Sequence, residues 1–363
     1  MLEKIIKKDI SSKVLMVGNY YKHHHPGGIS AVLQYWNDYI ENMQHYPTFK
    51  EGNVIVKRLL FVISYIRLAV RLSIWRDIKI LHLHTAADGS FWRKTQLMKL
   101  GKFFGCKNIL HIHASRFKDF YNESSVKKQA WILNSLIEAD LLIVLSNSWK
   151  EWFVSIGIPA EKIIVLHNIT SFPTVMPEAK INDGKIHFLF MGEIGLRKGV
   201  FDILRGMANH RSELAGKMEL RIGGNRNENE LRSAIKDGHL EEMAVFEGWV
   251  GGEKKLQLLN WADVFVLPSF NEGLPISILE AMSYAHPIIS TPVGGIPEVV
   301  KHNINGTLVT PGNDEEICAA MLKYIKSPQI IASEGCKSFE QSQEYLPDYV
   351  MSRLKEIYVS LMS

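Results

Sequence analysis

The chain has 363 residues, of which 46% are hydrophobic and 22% charged. This composition excludes an intrinsically disordered, collagen-like or coiled-coil protein, and the length predicts roughly two domains. The formal net charge of +4 is unevenly distributed, because residues 1–180 carry +10 and residues 181–363 carry −6. The basic half indicates either contact with an anionic partner or a solvated basic face.

The cysteines and the apolar segments predict the cellular location. The three cysteines lie far apart and form no CxxC pair, which favours a reducing compartment. The amino-terminal residues lack the apolar stretch of a secretory signal peptide. The longest apolar segment, Leu59–Trp75, is interrupted by Arg67 and Arg71 and is therefore a poor candidate for a membrane-spanning helix. We expect a cytoplasmic protein.

Short apolar segments alternate with longer helical patterns along the whole chain. Each short segment is continuously apolar, as in parallel strands that are covered on both faces. The alternation predicts an α/β fold of two doubly wound, Rossmann-like domains, with a boundary in the polar, proline-containing segment 168–184. The predicted strands are Val14–Val17, Ile78–His84, Asn108–His113, Leu141–Leu145, Ile163–Leu166, His187–Met191, Met218–Ile222, Val264–Leu267, Pro287–Ser290 and Thr307–Val309.

The segment Lys57–Arg76 predicts one long amphipathic helix of about five turns. Ser64, Arg67 and Arg71 are spaced to form one stripe among apolar and aromatic side chains. Such a helix either lies in a membrane interface with its arginines at the lipid head groups or packs in the core with one solvated stripe. The sequence leaves both interpretations open.

The most informative stretch comprises residues 264–280. A buried strand ends at Leu267, a polar loop follows, and a helical pattern begins after Glu272. Free backbone N–H groups at such a helix start favour a phosphate or another anion. Glu272 before the helix and Glu280 on its second turn are spaced to hold hydroxyl pairs on either side of a diphosphate. The residues at the helix start are Gly273, Leu274, Pro275 and Ile276.

A cationic turn follows the predicted strand that ends near Met191. Arg197 and Lys198 precede Gly199 and a further helical pattern. Two adjacent cations at a strand-to-helix turn can neutralise a diphosphate, and a solvated basic turn is the alternative. The turn is not a Walker A loop, and the chain has no GxGxxG fingerprint of a dinucleotide-binding protein.

Two glycines and a histidine are the candidates in the first half. Gly27 and Gly28 open a helical pattern after the first strand, where backbone amides can approach a phosphate. His113 is placed at the carboxyl end of its strand, where ligands bind in open α/β sheets; a buried structural imidazole is the alternative. His82 and His84 repeat the pattern, and we interpret them as core or supporting residues.

Together these features resemble the retaining glycosyltransferases of family 4, which have the GT-B fold of two Rossmann-like domains facing a central cleft. The resemblance covers nearly the whole chain and is strongest from 186 to 310. It implies that residues 1–172 form the acceptor-side domain, that residues 173–345 bind a nucleotide sugar, and that a helix over 346–363 returns to the first domain. The matching residues are Gly27, Gly28, His113, Arg197, Lys198, Gly199, Glu272, Gly273, Pro275, Glu280 and the stretch Thr291–Glu298.

The resemblance implies a role for the candidate residues of the second domain. Glu280 corresponds to the residue that holds the ribose hydroxyls of the donor. Glu272, with the backbone amides of residues 273–276, corresponds to the contact with the donor sugar. Lys198 and Arg197 correspond to the cations that stabilise the diphosphate leaving group.

Three further positions follow from the same resemblance. Gly28 approaches the phosphates from the first domain, His113 contacts the donor sugar near its anomeric centre, and Val250 lies where the family often packs the base. One position departs from the family, because Glu193 stands where many relatives carry an arginine. A carboxylate there repels a diphosphate, so either Arg197 substitutes for the missing cation or Glu193 turns away.

The resemblance predicts a retaining transfer of a sugar from a UDP-type or GDP-type donor to an acceptor hydroxyl. We expect no metal, because the consecutive His23, His24 and His25 rarely converge on one ion and no Asp-x-Asp pair lies in a convincing loop. The nucleotide sugar is a co-substrate, and we expect no other cofactor. A nucleotide-sugar epimerase of related fold and a non-catalytic nucleotide-sugar-binding protein are the alternatives.

The basic first half predicts the acceptor and the partners. We expect a lipid-linked saccharide of bacterial surface polysaccharide synthesis, such as O-antigen or capsule, reached by peripheral binding of the Lys57–Arg76 helix to the inner membrane face. The segment Phe91–Lys94 either helps to bind that acceptor or packs as an ordinary helix. No nucleic-acid partner is expected, since aromatic residues interleaved with basic ones are sparse and the second half is acidic.

Overall fold

The computed structural model describes residues 3–19, 28–48, 54–113, 115–169, 173, 177 and 184–363. The chain divides into two compact units. The first unit consists of Met1–Thr170 together with Pro347–Ser363, and the second unit of Ser171–Leu346. Each unit has one parallel sheet of six strands with helices packed on it.

The first unit has strands in the order β2-β1-β3-β4-β5-β6, all of them parallel. Strand β2 lies on one side of β1, and β3 to β6 follow on the other side, so the direction in which strands are added reverses at β1, as in other doubly wound sheets. The strands are β1 Val14–Gly18, β2 Gln44–Pro47, β3 Ile80–Thr85, β4 Lys107–Ile112, β5 Leu141–Val144 and β6 Ile163–Val165. The helices are α1 Lys8–Ser11, α2 Gly28–Tyr39, α3 Val54–Ile74, α4 Asp88–Phe103, α5 Phe117–Asn122, α6 Val126–Glu138, α7 Asn147–Ser155 and α16 Pro347–Met362.

The second unit has strands in the order β12-β11-β10-β7-β8-β9, again all parallel. Its strands are β7 Ile186–Met191, β8 Met218–Gly223, β9 Ala244–Gly248, β10 Val264–Leu267, β11 Ile288–Ser290 and β12 Gly306–Leu308. Its helices are α8 Val200–Asn209, α9 Arg211–Leu214, α10 Glu228–Asp237, α11 Gly252–Trp261, α12 Ile276–Ser283, α13 Ile296–Val299, α14 Asp314–Lys326 and α15 Gln329–Ser342.

All ten predicted strands are present, with ends that differ from the prediction by at most two residues. The central strands are fully buried: every residue of β1, β3, β7 and β10 lies inside its unit. This burial on both faces explains why β1, β10 and most of β7 are apolar without alternation. Strand β3 differs from the expected continuous pattern, because its buried His82 and His84 alternate with leucines. The sequence analysis did not predict the edge strands β2 and β9, which are partly exposed.

Helix α16 belongs to the first unit, where it packs against α1, α2 and β3. Its buried side chains recur at spacings of three and four, so they lie on one face of the helix. They are Val350, Met351, Leu354, Ile357 and Tyr358. Among the described residues, none of the helices combines the length and the hydropathy that crossing a bilayer requires.

Candidate active site

In the second unit, the candidate residues lie on loops that follow strands at the carboxyl edge of the sheet. β7 lies between β8 and β10, so the connections from β7 and β10 run to opposite sides of the sheet. A crevice forms at such a reversal of strand order, and it is where ligands bind in open α/β sheets. The loop after β7 carries Arg197 and Lys198, and the loop after β10 carries Glu272.

Gly199 fixes the cationic turn against the loop that follows β10. Its φ of +72° lies in the left-handed region, and a Cβ there would lie 2.2 Å from the carbonyl oxygen of Pro268. Only glycine fits both conditions. The backbone N–H of Phe270 donates to the carbonyl oxygen of Arg197 at 2.8 Å, which joins the two loops a second time. The cations are therefore placed by backbone packing.

The cationic turn meets Glu272 directly. Lys198 Nζ forms an ion pair with Glu272 Oε1, and Arg197 Nη1 lies 3.7 Å from the same oxygen. Arg197 Nη1 also donates to the carbonyl oxygen of Asn271 at 3.2 Å. Glu272 is only 6% exposed, so its charge is held in a partly desolvated position by two cations.

A second close contact fixes the backbone of Glu272. Gly294 has a φ of +56°, and a Cβ on it would lie 1.9 Å from the carbonyl oxygen of Glu272. The N–H of Gly295 donates to the carbonyl oxygen of Gly273 at 2.7 Å. The TPVGGIPE stretch, which the sequence analysis singled out by resemblance, therefore supports the loop that carries the candidate carboxylate.

Glu193 faces the cationic turn, and its charge is compensated there. Arg226 Nη1 lies 3.2 Å from Glu193 Oε1, and Arg197 Nη2 lies 3.8 Å from Glu193 Oε2. Glu193 thus does not turn away, and Arg226, on the loop after β8, adds a cation that the sequence analysis did not consider. With Lys198 and Glu272, the network has three cations and two carboxylates.

Helix α12 begins where the sequence predicted it. Pro275 is the residue before the first turn, and its carbonyl oxygen accepts from the N–H groups of Ile278 and Leu279. Leu274 is buried. Glu280, on the second turn, is 5% exposed and forms an ion pair with Lys255 of α11. Glu280 is therefore separate from the network around Glu272 and has its own cation, which the sequence did not indicate.

The loops after β7, β8 and β9 lie close together beside this network. A Cβ on Gly223 would lie 2.7 Å from Val250 Cγ2, and one on Gly224 would lie 2.1 Å from the carbonyl oxygen of Gly192. Val250 is half-buried. The small residues bring Val250 against the end of β8, so the position predicted for the base lies on the same edge of the sheet as the cations.

The candidate residues of the first unit also lie at its carboxyl edge. Gly28 is the first residue of α2, and no described atom lies within 4 Å of the position that its Cβ would take. Gly27 and the three histidines at 23–25 lie outside the described residues. Gly28 therefore leaves open space at this helix start among the residues that the structure describes.

His113 directly follows β4, and its N–H donates to the carbonyl oxygen of Thr85 at 2.9 Å. Its imidazole Nε2 lies 2.9 Å from His84 Nδ1. Burial lowers the pKa of His113 to about 3, so the ring is neutral at physiological pH. His82 and His84 are completely buried, as their interpretation as core or supporting residues requires.

The exposed face of α3 differs from the stripe that the sequence indicated. Tyr46 donates its hydroxyl to the carbonyl oxygen of Ser64, and Arg71 donates to Gln44 Oε1 at 2.7 Å, so these residues face the unit. Arg67 of the predicted stripe is exposed, and it lies beside a row of exposed apolar side chains. They are Leu59, Val62, Ile66, Val70 and Ile74, each more than half exposed.

The segment Phe91–Lys94 of α4 mostly packs inside the first unit. Phe91 and Lys94 are completely buried, and Lys94 Nζ donates to Thr48 Oγ1 at 2.6 Å. Trp92 is 48% exposed. Helix packing therefore accounts for Phe91 and Lys94, and contact with an acceptor is possible only for the exposed part of the segment.

Comparison with known proteins identifies both units. The family described as glycosyl transferases group 1 matches residues 171–342, and the family described as glycosyltransferase family 4 matches residues 37–170. The chain is 30% identical over 197 residues to the amylovoran biosynthesis glycosyltransferase AmsK of Erwinia amylovora, covering 51% of this chain and 47% of that one. It is 31% identical over 193 residues to the lipopolysaccharide 1,6-galactosyltransferase of Salmonella typhimurium, covering 52% and 53%.

The chain thus spans about half the length of these curated relatives. Among solved structures, Anabaena Alr3699/HepE in complex with UDP and glucose superposes with a TM-score of 0.73 at 15% identity. That superposition covers 96% of this chain and 99% of the Anabaena chain. The similarity confirms the predicted GT-B fold.

Proposed function

We propose a donor, a mechanism and an acceptor class for this chain, which belongs to the family-4 glycosyltransferases of GT-B fold. The proposed reaction transfers a sugar from a nucleoside diphosphate sugar to an acceptor hydroxyl, with retention of the anomeric configuration. The observation that carries the proposal is the contact of Lys198 and Arg197 with the buried carboxylate of Glu272 at the strand-order reversal of the second sheet.

The donor fits this arrangement by charge. A diphosphate that leaves the sugar gains negative charge, and cations fixed by backbone packing stabilise it without reorganisation. Lys198, Arg197 and Arg226 together exceed the charge of the two carboxylates beside them. The start of α12 adds backbone N–H groups and the positive end of a helix dipole.

The two buried glutamates bind different parts of the donor. Glu272 contacts the hydroxyls of the sugar, and Glu280, eight residues further on, holds the ribose. Both are nearly buried and each already has a lysine partner. On donor binding, sugar and ribose hydroxyls donate to the carboxylates while Lys198 turns to the phosphate. We propose that these side chains perform the reaction without a metal ion.

The proposed role of His113, a residue of the first unit, comes from the family resemblance. Its ring is half-buried and neutral, and its place after β4 puts it at the carboxyl edge of that sheet. A neutral imidazole can donate or accept one hydrogen bond through each nitrogen. We propose that it binds a hydroxyl of the donor sugar, while Gly28 leaves room for the phosphates.

The acceptor is proposed to be lipid-linked, and α3 carries this part of the proposal. A stripe of exposed aliphatic side chains, spaced three and four apart, runs along the helix between the exposed Arg58, Arg67 and Arg76. Apolar side chains flanked by arginines are typical of helices that lie in the interface of an anionic membrane. A bacterial surface polysaccharide or glycolipid is the proposed product, in line with the relatives named for amylovoran and lipopolysaccharide.

Donor binding and transfer test the proposal. The melting temperature is measured with UDP, GDP and ADP sugars, and the binder that raises it is used in a transfer assay. Glu272→Ala is expected to lower kcat/KM by about 10- to 100-fold, the effect of losing a hydrogen bond to a charged group. Glu242→Ala, at an exposed position on the same unit, is the matched control.

Three results would contradict parts of the proposal. Full activity of Glu272→Ala refutes the donor site. Loss of activity with a chelator and its return with a divalent ion refutes the metal-independent mechanism. Conversion of the donor in the absence of any acceptor, without hydrolysis, identifies an epimerase instead of a transferase.

A further inference from the structure

Four histidine rings form one stack at the carboxyl edge of the first sheet. His84 and His111 lie opposite each other in the register of β3 and β4. His82 lies two residues before His84, and His113 lies two residues after His111, so all four side chains are on the same face of the sheet. The His82 and His84 rings are parallel with centroids 4.5 Å apart, and the His111 and His113 centroids are 4.0 Å apart. We call these four residues the histidine stack.

Hydrogen bonds join the stack to the helix α16. Tyr358 Oη lies 2.7 Å from His82 Nδ1, and His82 Nε2 lies 3.1 Å from His111 Nδ1. His84 Nδ1 lies 2.9 Å from His113 Nε2. The hydroxyl of Tyr358 also reaches Met16 Sδ at 3.7 Å. Each ring of the stack therefore uses at least one nitrogen inside the cluster.

The geometry favours a hydrogen-bonded stack over a metal centre. Nitrogen atoms of His82, His84 and His111 lie within 4.8 Å of one another, which is close enough to consider a shared ion. However, a metal lies in the plane of the imidazole that binds it, and the parallel rings of His82 and His84 direct their lone pairs side by side. Both nitrogens of His82 are already engaged with Tyr358 and His111.

All four rings are neutral, so each has one N–H donor and one lone pair. Burial lowers the pKa of His82 and His113 to about 3, and lowers those of His84 and His111 well below the usual value. In each bonded pair, one ring donates and the other accepts. The favoured tautomers are therefore those that leave the fewest N–H groups without an acceptor.

One assignment satisfies every N–H and O–H group along these bonds. His111 donates from Nδ1 to His82, His82 donates from Nδ1 to Tyr358, and Tyr358 donates to Met16. His84 donates from Nδ1 to His113. Three ring nitrogens are left over. Nδ1 of His113 then carries the proton of that ring, whereas Nε2 of His84 and Nε2 of His111, which are buried without a partner among the described residues, carry only lone pairs.

The reverse assignment is less favourable. It places N–H groups on those same two nitrogens, with no acceptor among the described residues, and buried N–H groups without an acceptor are rare. It also removes the donor from Met16. The indole N–H of Trp36, another buried donor without a described partner, belongs to a ring packed 5.3 Å from His84 and 5.7 Å from His111 between centroids.

We propose that His84 is a positioning residue that donates its Nδ1–H to His113 Nε2, so that His113 presents Nδ1–H to a hydroxyl of the donor sugar. The inference rests on the proposed function for the role of His113, and it specifies which ring nitrogen meets the sugar. Stacking on His111 holds the plane of the His113 ring. The direction of the His84–His113 bond follows from His84 Nε2, which has no acceptor among the described residues, whereas Tyr358 sets the direction of the separate bonds through His82 and His111.

Nuclear magnetic resonance on the whole 363-residue chain labelled with [¹⁵N]histidine reads the tautomer without any substrate. Long-range ¹H–¹⁵N spectra distinguish a protonated ring nitrogen from one with a lone pair, and the signals lost in His113→Gln assign that ring. A protonated Nδ1 and an unprotonated Nε2 on His113 are expected. A protonated Nε2 on His113 overturns the proposal even if the enzyme is active.

Two variants at residue 84 then test positioning in the transfer reaction. His84→Asn keeps an amide N–H near the place of Nδ1, whereas His84→Leu has similar bulk without a donor. His84→Leu is expected to lower kcat/KM about five- to tenfold, the effect of one neutral hydrogen bond, and His84→Asn to restore it. Affinity for the nucleoside diphosphate alone is expected to stay unchanged in both.

The outcomes separate this inference from the proposed function. Unchanged kcat/KM in folded His84→Leu, or no rescue by His84→Asn at an equal melting temperature, refutes the positioning role. A drop in nucleoside diphosphate affinity equal to the drop in kcat/KM indicates a merely structural role and also refutes it. If the wild type neither binds nor transfers any nucleotide sugar, the proposed function fails, and the tautomer spectrum still decides the assignment.

Discussion

Replacing Ile66 and Ile74 with asparagine tests whether α3 binds a membrane. The two side chains are 56% and 67% exposed. Complete burial of an isoleucine contributes about 1.5–3 kcal/mol. Insertion of the exposed part of each side chain into the membrane therefore contributes about 1–2 kcal/mol to binding. The double variant is expected to lose about 3 kcal/mol, which corresponds to a roughly 100-fold weaker partition into vesicles.

The assay is sedimentation with vesicles that contain phosphatidylglycerol, compared with vesicles of phosphatidylcholine alone. The matched control is Val126→Asn with Val359→Asn, which removes exposed valines from α6 and α16. Arg67→Gln is expected to weaken binding to the anionic vesicles about fivefold, the effect of one basic residue near such a surface. Arg71→Gln is expected to have little effect, because this guanidinium bonds Gln44 inside the unit.

Equal binding of the Ile66/Ile74 double variant and the wild type refutes the reasoning. So does an equal loss in the Val126/Val359 control, because the effect then does not depend on α3. The circular dichroism spectrum and melting temperature of every variant are measured first, since only folded variants report on the membrane contact.

Two further predictions concern stability and the donor site. Burial lowers the pKa of Lys94 to about 7 from its usual 10.5, so the wild type gains stability as pH rises through this window, where the unfolded chain still holds the proton. Lys94→Met is therefore expected to raise the free energy of unfolding by up to about 4 kcal/mol at pH 6 and by clearly less at pH 10. Urea titrations of the wild type and the variant at both pH values check this. A difference in the free energy of unfolding that does not change with pH contradicts it. Glu280→Gln is expected to weaken binding of both UDP and the UDP sugar about 10- to 100-fold, whereas Glu272→Gln weakens binding of the UDP sugar only. Calorimetric titration with both ligands, or with the corresponding pair for another base, checks this. An equal loss of affinity for UDP and for the UDP sugar in Glu272→Gln contradicts it.

The central strands could be predicted from the sequence because burial on both faces produces a short, mostly apolar segment. Val264–Leu267 is apolar at every position, and its observed bounds are the predicted ones. The edge strand Gln44–Pro47 has exposed and polar positions, so its sequence carries no such signal. Its pairing with β1 depends on the fold of the unit, which a local pattern does not contain.

The candidate site was only partly predictable for a similar reason. The helix start at Ile276 and the cations at 197 and 198 follow from local patterns and from the resemblance. The pairing of Glu280 with Lys255 and of Glu193 with Arg226 depends on loops that meet only in the folded sheet. The histidine stack was visible as alternation within two strands, but the register that joins them is set by the pairing of β3 and β4.

The position of α16 has a consequence for biosynthesis. This helix contributes Tyr358 and a buried apolar face to the first unit, yet the whole second unit precedes it in the chain. During translation the second unit can therefore complete its core while the first unit still lacks one of its elements. The apolar surfaces of α1, α2 and β3 that α16 covers stay accessible until residues 347–362 have left the ribosome. Such transiently exposed surfaces favour aggregation and are what chaperones bind.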